Sequence, residues 1–154
     1  GSEMCIRDRI QQVKNANVKV DNEEISKIDK GFLVFLGVKD TDTMDDLAYV
    51  KKKIEKLRIF EDKDGKMNLS LSDVGGKILL VSQFTLFGDV RKGNRPSFIE
   101  AARPEKANEF YEIMKNELIA EGFEVETGKF QTHMEVGLVN DGPTTILIDS
   151  ERIL

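Results

Sequence analysis

Apolar and polar residues alternate through Asn17-Val18-Lys19-Val20, the pattern of a strand with one buried face. Asp21-Asn22 follows as a turn signal, and Ile25 and Ile28 resume the apolar positions, predicting a hairpin. Phe32-Leu33-Val34-Phe35-Leu36-Gly37-Val38 is uninterrupted, which predicts a strand buried on both faces. Leu47, Val50, Ile54 and Leu57 then recur at helical spacing, with Thr41 or Thr43 placed to cap the helix. Ile59-Phe60 predicts a short strand before the turn Asp62-Lys63-Asp64-Gly65. Lys77 to Leu86 predicts a second buried strand, and Phe87 to Pro96 a loop rich in glycine and positive charge. Ser97-Phe98-Ile99-Glu100 has the form of a capping box. Pro104 suits the first turn of a helix with Ala107, Phe110, Met114 and Leu118 on one face, and Gly122 stops it. Met134, Val136 and Leu138 alternate with Glu135 and Gly137, and Ile146 and Ile148 continue beyond Gly142-Pro143, predicting two final strands. The whole reads as one mixed α/β domain with several strands and two main helices.

Composition changes this picture little. The 154 residues, 40% apolar and 33% charged, suit one globular domain. No apolar run approaches the roughly 20 residues that span a bilayer, and no charged-then-apolar leader opens the chain, so no membrane partner and a cytoplasmic location are expected. A lone cysteine, Cys5, excludes an internal disulfide. The net charge of −5 argues against broad nucleic-acid binding but leaves room for a local basic patch. Gly1-Ser2 reads as an expression scar, and Glu3 to Arg9 follow neither period. Residues 1–9 are therefore set apart as a non-native or disordered leader, and the domain is expected over 10–154.

Candidate chemistry is sparse. His133 is the only histidine, so neither a metal site nor another cofactor is expected. Asp62-x-Asp64-Gly65 lacks the closing ligands of a calcium loop and reads as an acidic turn. Ser82 is outside any Gly-x-Ser-x-Gly elbow, which speaks against a triad with His133. Arg91-Lys92-Gly93-Asn94-Arg95 is either a solvated loop or a phosphate contact, and its mixture with Gly and Asn after Ser82–Thr85 favours the latter. Lys51, Lys52, Lys53 and Lys56 read as an ordinary exposed face. Gly142-Pro143 is a turn or a cis bond, and the sequence alone does not decide between them.

Two segments, Ser82-Gln83-Phe84-Thr85 and Asn140-Asp141-Gly142-Pro143-Thr144-Thr145, resemble the Ser-Gln-x-Thr and Asn-x-Gly-Pro-x-Thr motifs of the D-aminoacyl-tRNA deacylase family. Leu57 to Asp62, Gly65 to Ser70, Arg91-Lys92-Gly93 and Arg95-Pro96-Ser97-Phe98 are similar to that family as well, and the likeness runs from Ile10 to Ser150. Three departures stand out: Gln12 where the family usually has arginine, the charged Arg7-Asp8-Arg9 where a short apolar first strand is expected, and Thr144 where valine is common.

The resemblance implies a homodimer with a barrel-like core of β-sheets and two packed helices. It implies a carboxylic ester hydrolase that frees a D-amino acid, or glycine, from tRNA, with the active site at the subunit interface. In such an enzyme the Gly142-Pro143 bond is cis and its carbonyls, entering from the partner, collide with an L side chain. Backbone N–H groups of Phe84 and Thr85 hold the oxyanion, while Ser82, Gln83 and the Thr85 hydroxyl position the substrate. Thr85 as a covalent nucleophile is the weaker alternative. Asn140, Thr145, Met134 and Gln12 support the motif, Phe130 lines an adenosine pocket, and Arg91, Lys92 and Arg95 contact tRNA. A non-catalytic RNA-binding dimer and a hydrolase of small D-amino-acid esters remain alternatives.

Overall fold

The computed structural model describes residues 6–152. The chain opens on a long strand, β1 (Arg7–Val20), which turns through Asp21 and Asn22 into β2 (Glu23–Ile28). Both turn residues have positive φ, 51° and 65°, the backbone that matches the twist of a tight hairpin. Then come β3 (Gly31–Gly37), α1 (Met44–Lys56), the small ribbon β4 (Phe60–Glu61) and β5 (Met67–Leu69), and β6 (Lys77–Ser82). A 3₁₀ turn (Phe84–Phe87), α2 (Pro104–Ala120), β7 (Val125–Thr127) and β8 (Glu135–Asp149) complete the chain.

β1 organises the main sheet. β8 runs antiparallel along one edge of it, while β3 and β2 divide the other. β6 adds in parallel to β3, and β7 in parallel to β6. The sheet curls until the Ser26 hydroxyl of β2 donates to the Thr127 carbonyl of β7, giving a nearly closed barrel. Close approach matters where β3 meets β6: a Cβ on Gly31 would lie 1.9 Å from the Lys77 carbonyl oxygen.

The uninterrupted apolar runs of β3 and β6 serve two cores because successive side chains point to opposite faces. Phe32, Val34, Leu36, Ile78 and Leu80 pack under Leu47, Val50 and Ile54 of α1 and Phe110, Met114 and Leu118 of α2. Leu33, Leu79 and Val81 meet Val13, Ala16, Val18 and Ile28 on the other side. Thr43 caps α1, its N–H donating to the Asp46 carboxylate at 2.9 Å. Pro104 begins α2, and Gly122, with φ 98°, follows its end.

The structure corrects four sequence readings. The two strands expected at the end are one, β8, which continues through the irregularity at Gly142-Pro143. The second buried strand ends at Ser82 rather than Leu86, because Phe84–Phe87 coils back under Gly37, whose missing side chain lets Leu86 and Phe87 approach. The Ser97–Glu100 box does not open a helix, since Ala101 pairs with Lys39 in an isolated bridge and α2 starts only at Pro104. Arg7-Asp8-Arg9, set apart with the leader, are strand residues, since neighbours on both sides satisfy their backbone: Arg7 pairs with Gly37 and Asp149, Asp8 with Leu36 and Ile148. Residues 1–5 of that leader lie outside the described residues.

Candidate active site

Where β6 gives way to the 3₁₀ turn, the chain opens onto a cavity of about 410 Å³. Ser82, Gln83, Phe84 and Thr85 form one side of it. Phe130, Gln131, Thr132 and Met134, from the segment between β7 and β8, form another. Leu36 at the end of β3 and Val38 just after it, then Phe98, Ala101, Ala102, Pro104 and Ala107, complete an apolar wall. Thus four motif residues predicted from sequence, with Phe130 and Met134, converge. The alanine wall and Phe98 were missed, although the small residues Ala101 and Ala102 just before a helix start were a usable signal of space.

The turn aims its polar groups. Gln83 N–H is spent on the Leu36 carbonyl at 2.8 Å, and the Thr85 carbonyl accepts from Gly88 N–H at 3.0 Å. The Gln83 amide donates to the Thr85 hydroxyl oxygen at 2.8 Å, which leaves that hydroxyl's proton to point elsewhere. Among the described residues no acceptor takes the N–H of Phe84 or of Thr85. Two adjacent unspent donors at the start of a turn are the equipment that a developing oxyanion requires.

The opposite wall is held from beneath. Tyr111 of α2 donates its buried hydroxyl to the Leu80 carbonyl at 2.6 Å and stacks on Phe130, ring centroids 6.4 Å apart. Burial pushes the Tyr111 phenol far above its ordinary range, so it remains a fixed donor. Gly128 makes room for Met134, whose sulfur would lie 2.6 Å from a Cβ at that position.

Gly142 and Pro143 stand elsewhere. Gln11 of β1 pairs with Thr145, and Val13 pairs with Asn140, so Asp141–Thr144 bulge off the ladder opposite Gln12. The bond between Gly142 and Pro143 is cis. Asn140 braces the bulge, its Oδ1 accepting from Thr144 N–H at 2.8 Å and its Nδ2 donating to Thr145 Oγ1 at 3.1 Å. Gly142 shares a smaller cleft of about 210 Å³ with Gln12, Lys30, Phe60 and Asp141, apart from the Ser82–Thr85 cavity. Gln12 Oε1 is buried there without a hydrogen-bond partner among the described residues.

The basic loop divides unevenly. The Arg91 guanidinium forks onto Asp89, with Nε to Oδ1 at 2.9 Å and a nitrogen to Oδ2 at 2.6 Å. That pairing holds the Asp89 carboxyl well below the usual carboxylate range. Lys92 and Arg95 are exposed, with no ion-pair partner among the described residues. Among those residues no group of three His, Cys, Asp or Glu side chains is gathered as a metal would need, and no helix is long and apolar enough to cross a membrane. His133 is exposed at the edge of the loop, and Asp62 accepts from the Asp64 and Lys66 N–H groups as an ordinary turn.

A curled α/β sheet with an apolar cavity, floored by hydroxyls and free N–H groups, is equipped to hold an ester and the anion formed on attacking it. Residues 9–149 match the family described as D-Tyr-tRNA(Tyr) deacylase. The D-aminoacyl-tRNA deacylase of Thermoanaerobacter sp. is 53% identical over 148 residues, covering 96% of this chain and 99% of the relative. That of Chloroherpeton thalassium is 55% identical over 146 residues, 94% of this chain and 96% of the relative. The solved c-Myc DNA Unwinding Element Binding Protein superposes with a TM-score of 0.86 at 40% identity, over 92% of this chain and 97% of that one. A probable eukaryotic D-amino acid tRNA deacylase shares the fold, with a TM-score of 0.82 at 19% identity, over 95% of this chain and 100% of that one. The chain belongs to the D-Tyr-tRNA(Tyr) deacylase family.

Proposed function

We propose that this protein removes D-amino acids from tRNA by hydrolysing the ester to the terminal ribose, and that it selects the hand of its substrate with backbone. Family membership makes it a D-aminoacyl-tRNA deacylase, a hydrolase of carboxylic esters. The observation that carries the chemical reading is the pair of unspent N–H groups on Phe84 and Thr85, beside the Ser82 and Thr85 hydroxyls.

The step is simple in outline. Water attacks the ester carbonyl carbon, and the carbonyl oxygen takes the negative charge, facing the Phe84 and Thr85 N–H groups. Collapse breaks the bond to the ribose oxygen, which leaves with a proton, freeing amino acid and tRNA. An aminoacyl ester is already reactive, so holding it and the water in register supplies much of the acceleration. The neighbouring ribose hydroxyl is the nearest proton carrier. Ser82 and Gln83 orient the ester, and the terminal adenosine lies against Phe130 and the alanine wall. Thr85 as a nucleophile lacks an adjacent base to activate it.

The selecting element comes from a second copy of the chain. Within one chain the Gly142-Pro143 bulge and the cavity are separate clefts. β8 pairs only with β1 among the described strands, and it exposes Leu138, Val139 and Leu147. An open, partly apolar edge of this kind invites pairing with another chain. In the resulting homodimer the Gly142 and Pro143 carbonyls face the α-carbon, excluding an L side chain and admitting a D side chain or the hydrogen of glycine. Glycyl-tRNA is therefore also a substrate. Asn140 and Thr145 brace the bulge, and Gln12 lies in the cleft beside it.

The test is a comparison of D-Tyr-tRNA with the ethyl ester of D-Tyr. Release from the tRNA with little turnover of the small ester is expected. Binding of the tRNA without release, or equal turnover of both esters per unit concentration, contradicts the reading.

A further inference from the structure

The residues beside the cavity mouth form a step that the terminal nucleotide alone does not use. Asp89 and Ser97 exchange backbone hydrogen bonds of 2.8 and 2.9 Å, pinching residues 90–96 into a projecting loop. The next residue, Phe98, packs edge-to-face on Phe84 with ring centroids 5.1 Å apart. Both rings line the cavity, yet Phe84 is 57% and Phe98 37% exposed. Gly88 lets this pair form, since a Cβ there would come within 3.1 Å of the Phe98 ring. Exposed rings next to a cationic loop combine the two elements with which proteins hold single-stranded nucleic acid, a stacking surface and a charge for the backbone.

The charges are not equivalent. Arg91 already has its fork filled by the two Asp89 oxygens and therefore anchors the loop. Lys92 and Arg95 are left to meet an anion from outside. On a chain of net charge −5, this local patch is where a polyanion is drawn in.

We propose that the Phe84–Phe98 pair and Lys92 with Arg95 receive the single-stranded nucleotides immediately upstream of the terminal one, a base resting on the exposed rings and two phosphates meeting the two cations. This rests on the deacylase reading and extends it from the terminal nucleotide to the strand that carries it. Contacts of this kind read no base edges, so one loop serves tRNAs of different identity.

The experiment measures kcat/KM for D-Tyr-tRNA against KCl concentration in the Lys92→Gln/Arg95→Gln double variant. Removal of two single-strand phosphate contacts flattens the log–log salt slope by about 1.4. At low salt it lowers kcat/KM by roughly tenfold, through KM rather than kcat. A Lys52→Gln/Lys63→Gln variant, with the same change of charge far from the loop, keeps the wild-type slope. D-tyrosyl-adenosine ends before these contacts, so its hydrolysis does not lose ground with the tRNA. An unchanged slope, or an equal loss on D-tyrosyl-adenosine, overturns the proposal. Should the wild-type protein release nothing from D-Tyr-tRNA, the deacylase reading fails instead. Anisotropy with an uncharged acceptor minihelix and the same variants then decides the loop separately: a salt slope that the double variant leaves unchanged overturns it.

Discussion

Gly142→Ala lowers the rate of D-Tyr-tRNA deacylation by about 100-fold, the scale expected when the element facing the substrate's α-carbon shifts and misplaces the ester by about 1 Å. The reason is local. Gly142 sits at φ 137°, a backbone that L side chains rarely adopt, and an added Cβ would lie 2.4 Å from Thr144 Oγ1 and 2.9 Å from Thr144 N. Thr144 is itself tied down by Asn140 at 2.8 Å and is buried, so the bulge must shift rather than the neighbour yield. Gly142 is exposed, and the core is untouched, so the stability cost is confined to backbone strain of roughly 1–3 kcal/mol. Single-turnover release measured beside urea denaturation separates the two effects. Release at the wild-type rate would show that the bulge does not touch the reaction.

Asp8→Val raises stability at pH 7 by roughly 2–4 kcal/mol. Asp8 points from β1 to the same face as Ile6 and Ile10, which belong to the larger core. Both its carboxylate oxygens are buried with no hydrogen-bond partner among the described residues. Burial pushes its pKa well above the ordinary value. The sign follows from proton counting. Below the unfolded value of about 4 the group is protonated in both states and costs little. Above it the folded chain retains a proton that the unfolded chain has lost. Stability therefore falls as pH rises, by about 1.4 kcal/mol per unit, until the folded pKa is reached. Urea midpoints across pH 4–8 should decline in the wild type and lose that component in Asp8→Val. A variant less stable than wild type at pH 7 would mean that the carboxylate is satisfied.

The same residue marks where the sequence stopped being legible. Arg7-Asp8-Arg9 has no strand period, yet strand pairing depends on backbone, and β3 and β8 flank it on both sides. Where pattern and packing agree, reading was direct: the apolar runs of β3 and β6, the α2 face from Ala107 to Leu118, and its Pro104 and Gly122 ends. The three-residue strands β5 and β7 were missed because so few positions carry no period. The pattern extends the strand through Phe84–Leu86 because Phe84 and Leu86 continue the apolar run, and only the contact with Gly37 explains why this stretch coils. At the site, both motifs were legible as sequence. The expectation that Gly142-Pro143 and the Ser82–Thr85 cavity of one chain lie apart came from the family resemblance and from no local pattern, since the separation depends on the bulge opposite Gln12. Nor was the capture of Arg91 by Asp89, two residues away, distinguishable from a free cation.

Rejection of one hand of the substrate by backbone is the central claim. The most direct measurement is the single-turnover rate of release from D-Tyr-tRNA and from L-Tyr-tRNA, with the intact protein in excess over each. Rapid release of D-Tyr, with L-Tyr-tRNA persisting as long as it does without protein, is the predicted result. Comparable release of both hands would contradict it.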